Sequence, residues 1–244
     1  MKRTLLALGA VLLTAALIPA SSVAQEVPIG VTSSPVISPI CPTGVSQADC
    51  AIVLEQMTAL QTLRDGVSSP ALVHDSGELV SFTVGISAIS SDKKTLASDE
   101  KFLDSAYGGP PAVQITVLRQ VGAPSHERWE VAAQSSSVAL QRYLGRVIQF
   151  PLTQDLPVIP GEVIALTVPT WAPVLSFDLS TSKFAYRQSR RTGCKSVTTS
   201  EQAELTLGQQ AQFGCNYTGT RVEYSADEIV SPDPSAAFRS QLVF

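Results

Sequence analysis

The chain has 244 residues, of which 44% are hydrophobic and 16% charged, and its formal charge is −4. This composition excludes a disordered chain, and a mildly acidic protein has no electrostatic pull toward nucleic-acid backbones or anionic lipid heads. With only two histidines, His74 and His126, it has little scope for histidine-based catalysis.

Residues 1–24 read as a secretory signal peptide. Lys2 and Arg3 precede an apolar run from Leu5 to Ile18, and Ser22-Val23-Ala24 supplies small residues for cleavage after Ala24. The run is shorter than the roughly 20 residues that span a bilayer, so no membrane insertion is expected after cleavage. Losing both cations would take the formal charge from −4 to −6. Residues 25–45, rich in Pro, Ser and Gly, read as an extended leader or linker. Residues 46–230 read as one domain and 231–244 as a polar tail. Within 47–65, Leu54, Met57, Leu60 and Leu63 suit a short helix near the N-terminus, while "VLEQMTALQT" suits a strand equally well.

From Leu79 strands dominate. "ELVSFTVGISAIS" places Val80, Phe82, Val84 and Ile86 on one face. A polar interruption follows, with one helical turn around Lys101–Ser105, and Gly108-Gly109-Pro110-Pro111 turns the chain. Short apolar segments then recur about every ten residues, among them "AVQITVLRQV", "ERWEVAAQS", "GRVIQFPL" and "EVIALTVP". This spacing predicts an all-β chain, an antiparallel β-sandwich with jelly-roll or immunoglobulin-like connectivity. An outer-membrane barrel would need longer, apolar-faced strands and aromatic girdles, which a chain with 6% aromatic residues lacks.

Four cysteines, Cys41, Cys50, Cys194 and Cys215, fit two disulfides in an exported chain. Of the three pairings, the local one (Cys41–Cys50, Cys194–Cys215) closes the shortest loops. A zinc site is the alternative, but there is no Cys-x-x-Cys pair.

Motifs for serine hydrolases, zinc proteases, phosphate loops and dinucleotide binding are missing, so neither a cofactor nor a catalytic residue is expected. Glu127 and Glu130 are three apart on a strand and face opposite ways, and Glu162 and Asp178 sit at ordinary strand ends. Asp227, Glu228 and Asp233 match no EF-hand spacing, so no metal is expected. "YRQSRRTGCK" gathers Arg187, Arg190, Arg191 and Lys195 and reads first as a charged, solvated hairpin end; the alternative is a contact for an anion or acidic polysaccharide, with Arg187 and Arg190 as its candidates. Asn216-Tyr217-Thr218 has the form of a glycosylation sequon. Trp171, between Pro169 and Pro173, reads as a wedge closing the core, where the sheet must stop or bend. As an exposed ring it would instead be a sugar platform, together with Trp129 or Tyr143. The ligand-binding candidates are thus Trp171, Trp129, Tyr143, Arg187 and Arg190.

Several phrases, "GELVSFTVG", "SAYGGPPAVQITVLR", "VAAQSSSVALQRYLG", "LPVIPGEVIALTVPTWAPV", "FAYRQSR" and "GCNYTGTRVEYSA", together resemble an uncharacterised family of secreted β-sandwich proteins from actinobacteria. The likeness covers roughly residues 41–230 and implies a compartment and a fold, with no activity to carry over. The expected function is a secreted, non-catalytic sandwich that binds an extracellular glycan or cell-envelope component. The alternatives are a cell-surface structural or interaction protein without a small ligand, and a glycan hydrolase with a scattered carboxylate pair.

Overall fold

In a computed structural model, which describes residues 24–46, 51–122, 128–191, 194 and 202–230, the alternating segments are strands. β1 (Gln25–Ile29), β2 (Leu54–Arg64), β3 (Val67–Ser68) and β4 (Gly77–Gly85) precede the helix α1 (Lys93–Tyr107). After it come β5 (Ala112–Val121), β6 (Arg128–Gln134), β7 (Val138–Ala139), β8 (Val147–Val158), β9 (Val163–Ala172) and β10 (Leu175–Ser176). β11 (Ala185–Gln188), β12 (Gln210–Ala211), β13 (Cys215–Thr218), β14 (Arg221–Val222) and β15 (Tyr224–Val230) complete the series.

One sheet has the order β1-β15-β4-β8, and the other runs β12-β6-β5-β9-β2-β11-β13. The long strands pair antiparallel as β1 with β15, β2 with β9, β4 with β8 and β5 with β6. First therefore meets last and the middle strands meet each other, as in one long hairpin rolled over on itself. This is jelly-roll connectivity and decides between the two expected topologies. The expected all-β sandwich is what the chain forms.

The core lies between the sheets. Leu79, Phe82 and Val84 of β4 face Val113, Ile115 and Val117 of β5 and Ile164, Leu166 and Val168 of β9, all fully buried. The period of two set by the pleat puts them there. Val80 departs from expectation. Leu79 and Ser81 pair with the consecutive Glu228 and Asp227 of β15, which makes Val80 the extra residue of a bulge, so Leu79 takes the inward place. Pro151 and Pro157 are tolerated in β8 because it is an edge strand with one side unpaired.

The segment 47–65, open between helix and strand, is β2 from Leu54 onward. The α-helix among the described residues is instead α1, well beyond the N-terminus and longer than the single turn expected. Asp92 caps it by accepting from the Thr95 amide, and Gly108, at φ 83°, ends it with its N–H on the Asp104 carbonyl. Leu96, Leu103 and Tyr107, spaced seven and four apart, pack it against Trp171.

The leader reading of 25–45 is also corrected. Residues Ala24–Ser231 form one compact unit, and Gln25–Ile29 is an edge strand of the first sheet. Beyond it the chain is strapped down by polar contacts. Asp65 accepts from the hydroxyls of Thr32 and Ser34 and from the Ser34 amide, and Arg64 donates to the carbonyls of Gly30 and Ser34. The Ser38 hydroxyl donates to the Ile86 carbonyl. The strap passes so close to Gly85 that any side chain there would collide with the Ile37 carbonyl.

Cys194 and Cys215 form a disulfide, as the local pairing requires. Cys41 is disulfide-bonded too; its expected partner, Cys50, lies outside the described residues, as do residues 1–23 of the expected signal peptide and the expected tail 231–244. Among the described residues no helix is long and apolar enough to cross a membrane.

Candidate functional site

Between β9 and β15 the chain makes an excursion that extends the second sheet with β11 and β13 and lays Leu205 and Phe213 over its outer face. The cover is fixed by a buried polar network. The hydroxyls of Thr58 (β2), Thr167 (β9) and Thr116 (β5) bond in a row, at 2.9 and 2.7 Å. The Gln134 amide of β6 donates to Thr116, Thr167 and the Leu205 carbonyl, and the Leu205 amide donates to Thr58. Four strands and the cover are thereby joined through side chains.

Where the cover stops, a groove of about 380 Å³ remains. Leu60 and Val163 form its apolar floor, with Thr62, Trp129, Arg187 and Asn216 around it. Strand order assembles it. Trp129 stands on β6 opposite Ala211, and Arg187 on β11 is opposite Asn216 on β13. The Trp129 ring is half-buried, whereas Arg187 and Asn216 are exposed. Among the described residues, no carboxylate lines the groove. Arg187 is in none of the ion pairs among the described residues.

Of the five candidates, the fold brings together only Trp129 and Arg187. Trp171 is 0% exposed, sealed by Ile89 and Leu103, and its indole N–H donates to Asp104 Oδ1 at 2.9 Å. It is the core wedge and offers no platform. β9 bends there without stopping: Glu55 pairs with Trp171 and Met57 with Val168, so Pro169 and Thr170 share a bulge opposite Gln56. Tyr143 packs edge-on against Phe150, with ring centroids 5.3 Å apart. Arg190, read as an anion contact, is buried and holds Glu55, at 3.2 Å to Oε1 and 3.1 Å to the Glu55 carbonyl. Burial pushes the Glu55 carboxyl up, and Arg190 pulls it back. Glu162 is likewise internal, paired with Arg119 and accepting from the Ile159 amide.

A second groove, of about 410 Å³, lies on the other side of the loop that follows β3. It was not anticipated from the sequence. His74 and Asp75 stand at it, and Glu228 of β15 forms part of its floor. Burial raises the Glu228 carboxyl, the Asp75 charge raises it further, and His74 works against both. Asp227, the neighbour of Glu228, points the other way, accepting from Ser81 and Gln149. His126, Glu127 and Asp233 lie outside the described residues. Among those described, no three His, Cys, Asp or Glu side chains are placed to share a metal ion.

No protein-family model, no curated protein and no solved structure matches this chain.

Proposed function

We propose that the chain is an exported, non-catalytic jelly-roll protein that holds a glycan or another cell-envelope component in the groove beside Trp129. One observation carries the reading: a half-buried indole and an arginine that joins none of the ion pairs among the described residues are brought from distant strands to one groove whose described lining holds no carboxylate. An indole face stacks on the C–H face of a pyranose, and a guanidinium forks onto a carboxylate, so an acidic sugar fits both. Export is supported by the layout of residues 1–24 and by the Cys194–Cys215 bridge, which persists in oxidising compartments. The resemblance to secreted actinobacterial proteins belongs to the same reading and gains nothing from the comparisons.

The hydrolase alternative has one observation in its favour, the two carboxyl groups Asp75 and Glu228 at one groove, the second with a raised pKa. A glycosidase acid must reach an oxygen that lies between two sugar rings. Glu228 is 2% exposed, so rings flanking that oxygen would be stopped at the groove walls. The non-catalytic reading is therefore preferred.

The test is retention of the purified protein on peptidoglycan and on neutral and acidic polysaccharides, with Trp129→Ala and Arg187→Ala beside wild type. Retention that falls about tenfold in either variant supports the groove. Equal retention of all three proteins would move the site elsewhere, and no retention of wild type would remove glycan binding altogether.

A further inference from the structure

Four glutamates are buried among the described residues, and three have partners. Glu55 has Arg190, Glu162 has Arg119 and the Ile159 amide, and Glu223 has Arg221, Ser176 and the Ile37 amide. Glu228 is the exception. Its Oε1 is covered and has no hydrogen-bond partner. An unpaired buried carboxylate is costly, and native structures keep few such groups without a use.

The local backbone holds the group where it is. The pleat of β15 sends the consecutive acids Asp227 and Glu228 to opposite faces and puts Glu228 on the inward face with Tyr224 and Ala226. The absence of a side chain at Gly77 makes room for the carboxylate, since a Cβ there would come within 2.6 Å of Oε1. The groove has an aliphatic strip from Ile29, Val31, Val67 and Leu72 beside the hydroxyl residues Thr32, Ser68 and Ser69, and Asp75 supplies a second negative charge. Val31 and Val67 are about half exposed, at 45% and 51%.

We propose that this groove binds a primary alkylammonium group, such as a lysine side chain, its stem along Ile29, Val31, Val67 and Leu72 and its charged end on Glu228 and Asp75. The class follows from the lining. Two carboxyl groups call for a cation, and the acids and imidazole of the groove are not placed to share a metal ion. An aliphatic strip suits a methylene stem better than the hydroxyls of an amino sugar. The small opening at Glu228 admits a terminal ammonium, with three donors on a thin chain, more readily than a broad planar guanidinium. The site is separate from the Trp129 groove, which lies across the loop, and does not depend on it.

The experiment is a 15N–1H NMR titration of the mature chain with pentylammonium chloride, with Nα-acetyl-lysine methylamide and with uncharged pentan-1-ol. The expected result is saturable shifts of the Val31, Val67 and Leu72 amides with both ammonium probes, and about tenfold weaker binding of the alcohol. Glu228→Gln fills the same space without the charge. It should keep or raise the melting temperature and weaken pentylammonium binding about tenfold, while Trp129→Ala leaves that binding unchanged. Three results would overturn the proposal: no saturation by either ammonium probe, equal binding of the alcohol, or full affinity in Glu228→Gln. A higher melting temperature in Glu228→Gln, with no ammonium binding by wild type, would make Glu228 a strained carboxyl and nothing more.

Discussion

Replacing Thr167 by valine keeps the shape of the side chain and removes the hub of the threonine network. The Thr167 hydroxyl meets Thr58 at 2.9 Å, Thr116 at 2.7 Å and the Gln134 amide at 3.2 Å. Thr116 and the Leu205 carbonyl still accept from Gln134 in the variant, so the amide keeps partners. Thr58 and Thr116 still accept from the Leu205 and Gln134 amides, but with the Thr167 oxygen gone at least one of their O–H groups loses its acceptor, and both residues are 0% exposed, so no water replaces it. A net hydrogen bond is worth about 1 kcal/mol and a stranded buried hydroxyl costs about 1–3 kcal/mol, so Thr167→Val should destabilise by about 2–3 kcal/mol. Urea denaturation gives the global value. Hydrogen exchange at the Leu205 amide, bonded to Thr58, reports whether the cover loosens first. A loss below about 0.5 kcal/mol, or an unchanged exchange rate at Leu205, would refute the argument that this network fastens the cover.

Trp171→Phe should cost about 2–3 kcal/mol in denaturant melts through lost packing and the lost indole bond, and leave polysaccharide retention unchanged. For Asp65, burial alone would raise the carboxyl, but donors from Thr32 and Ser34 outweigh it and hold the group at about 2, below its ordinary 3.8. The depressed value means that its stabilisation is complete above about pH 4 and fades as pH falls toward 2. Thermal melts across that range should therefore show a steeper acid loss in wild type than in Asp65→Asn. Arg190→Met strands the buried Glu55 charge and should cost about 3–5 kcal/mol, much of which Glu55→Leu on the same chain restores. A double variant no more stable than the single one would show that the two groups do not act as a pair.

What the sequence discloses here is what repeats along it. Alternation in 79–86 and 112–118 announces strands, and the proximity of Cys194 to Cys215 announces their bridge. Two prolines around Trp171 mark a bend and a buried ring. The strap 30–38 is hidden because its hold is polar and non-local. Serines and threonines look like linker until Asp65 and Arg64 are seen opposite them. The helix signal was present in Asp92, Gly108 and the spacing of Leu96, Leu103 and Tyr107, but its one-sided packing leaves most of the segment polar. Arg190 looks like Arg187 in sequence, and only sheet order gives one a buried glutamate and the other an open groove. Glu228 stays hidden for a related reason: alternation puts it on the face of β15 that carries Tyr224 and Ala226, but only the packed sheets show that it is covered and unpaired.

The pairing of β1 with β15 has a kinetic consequence. Gln25 has its partner in Val230, and Ile37 has its carboxylate in Glu223, so the earliest described strand waits for the last one before its sheet can close. Such non-local closure makes folding slow, on the scale of milliseconds to seconds or longer. Until β15 arrives, the first sheet has no centre, and β1 and β4 have nothing to join them.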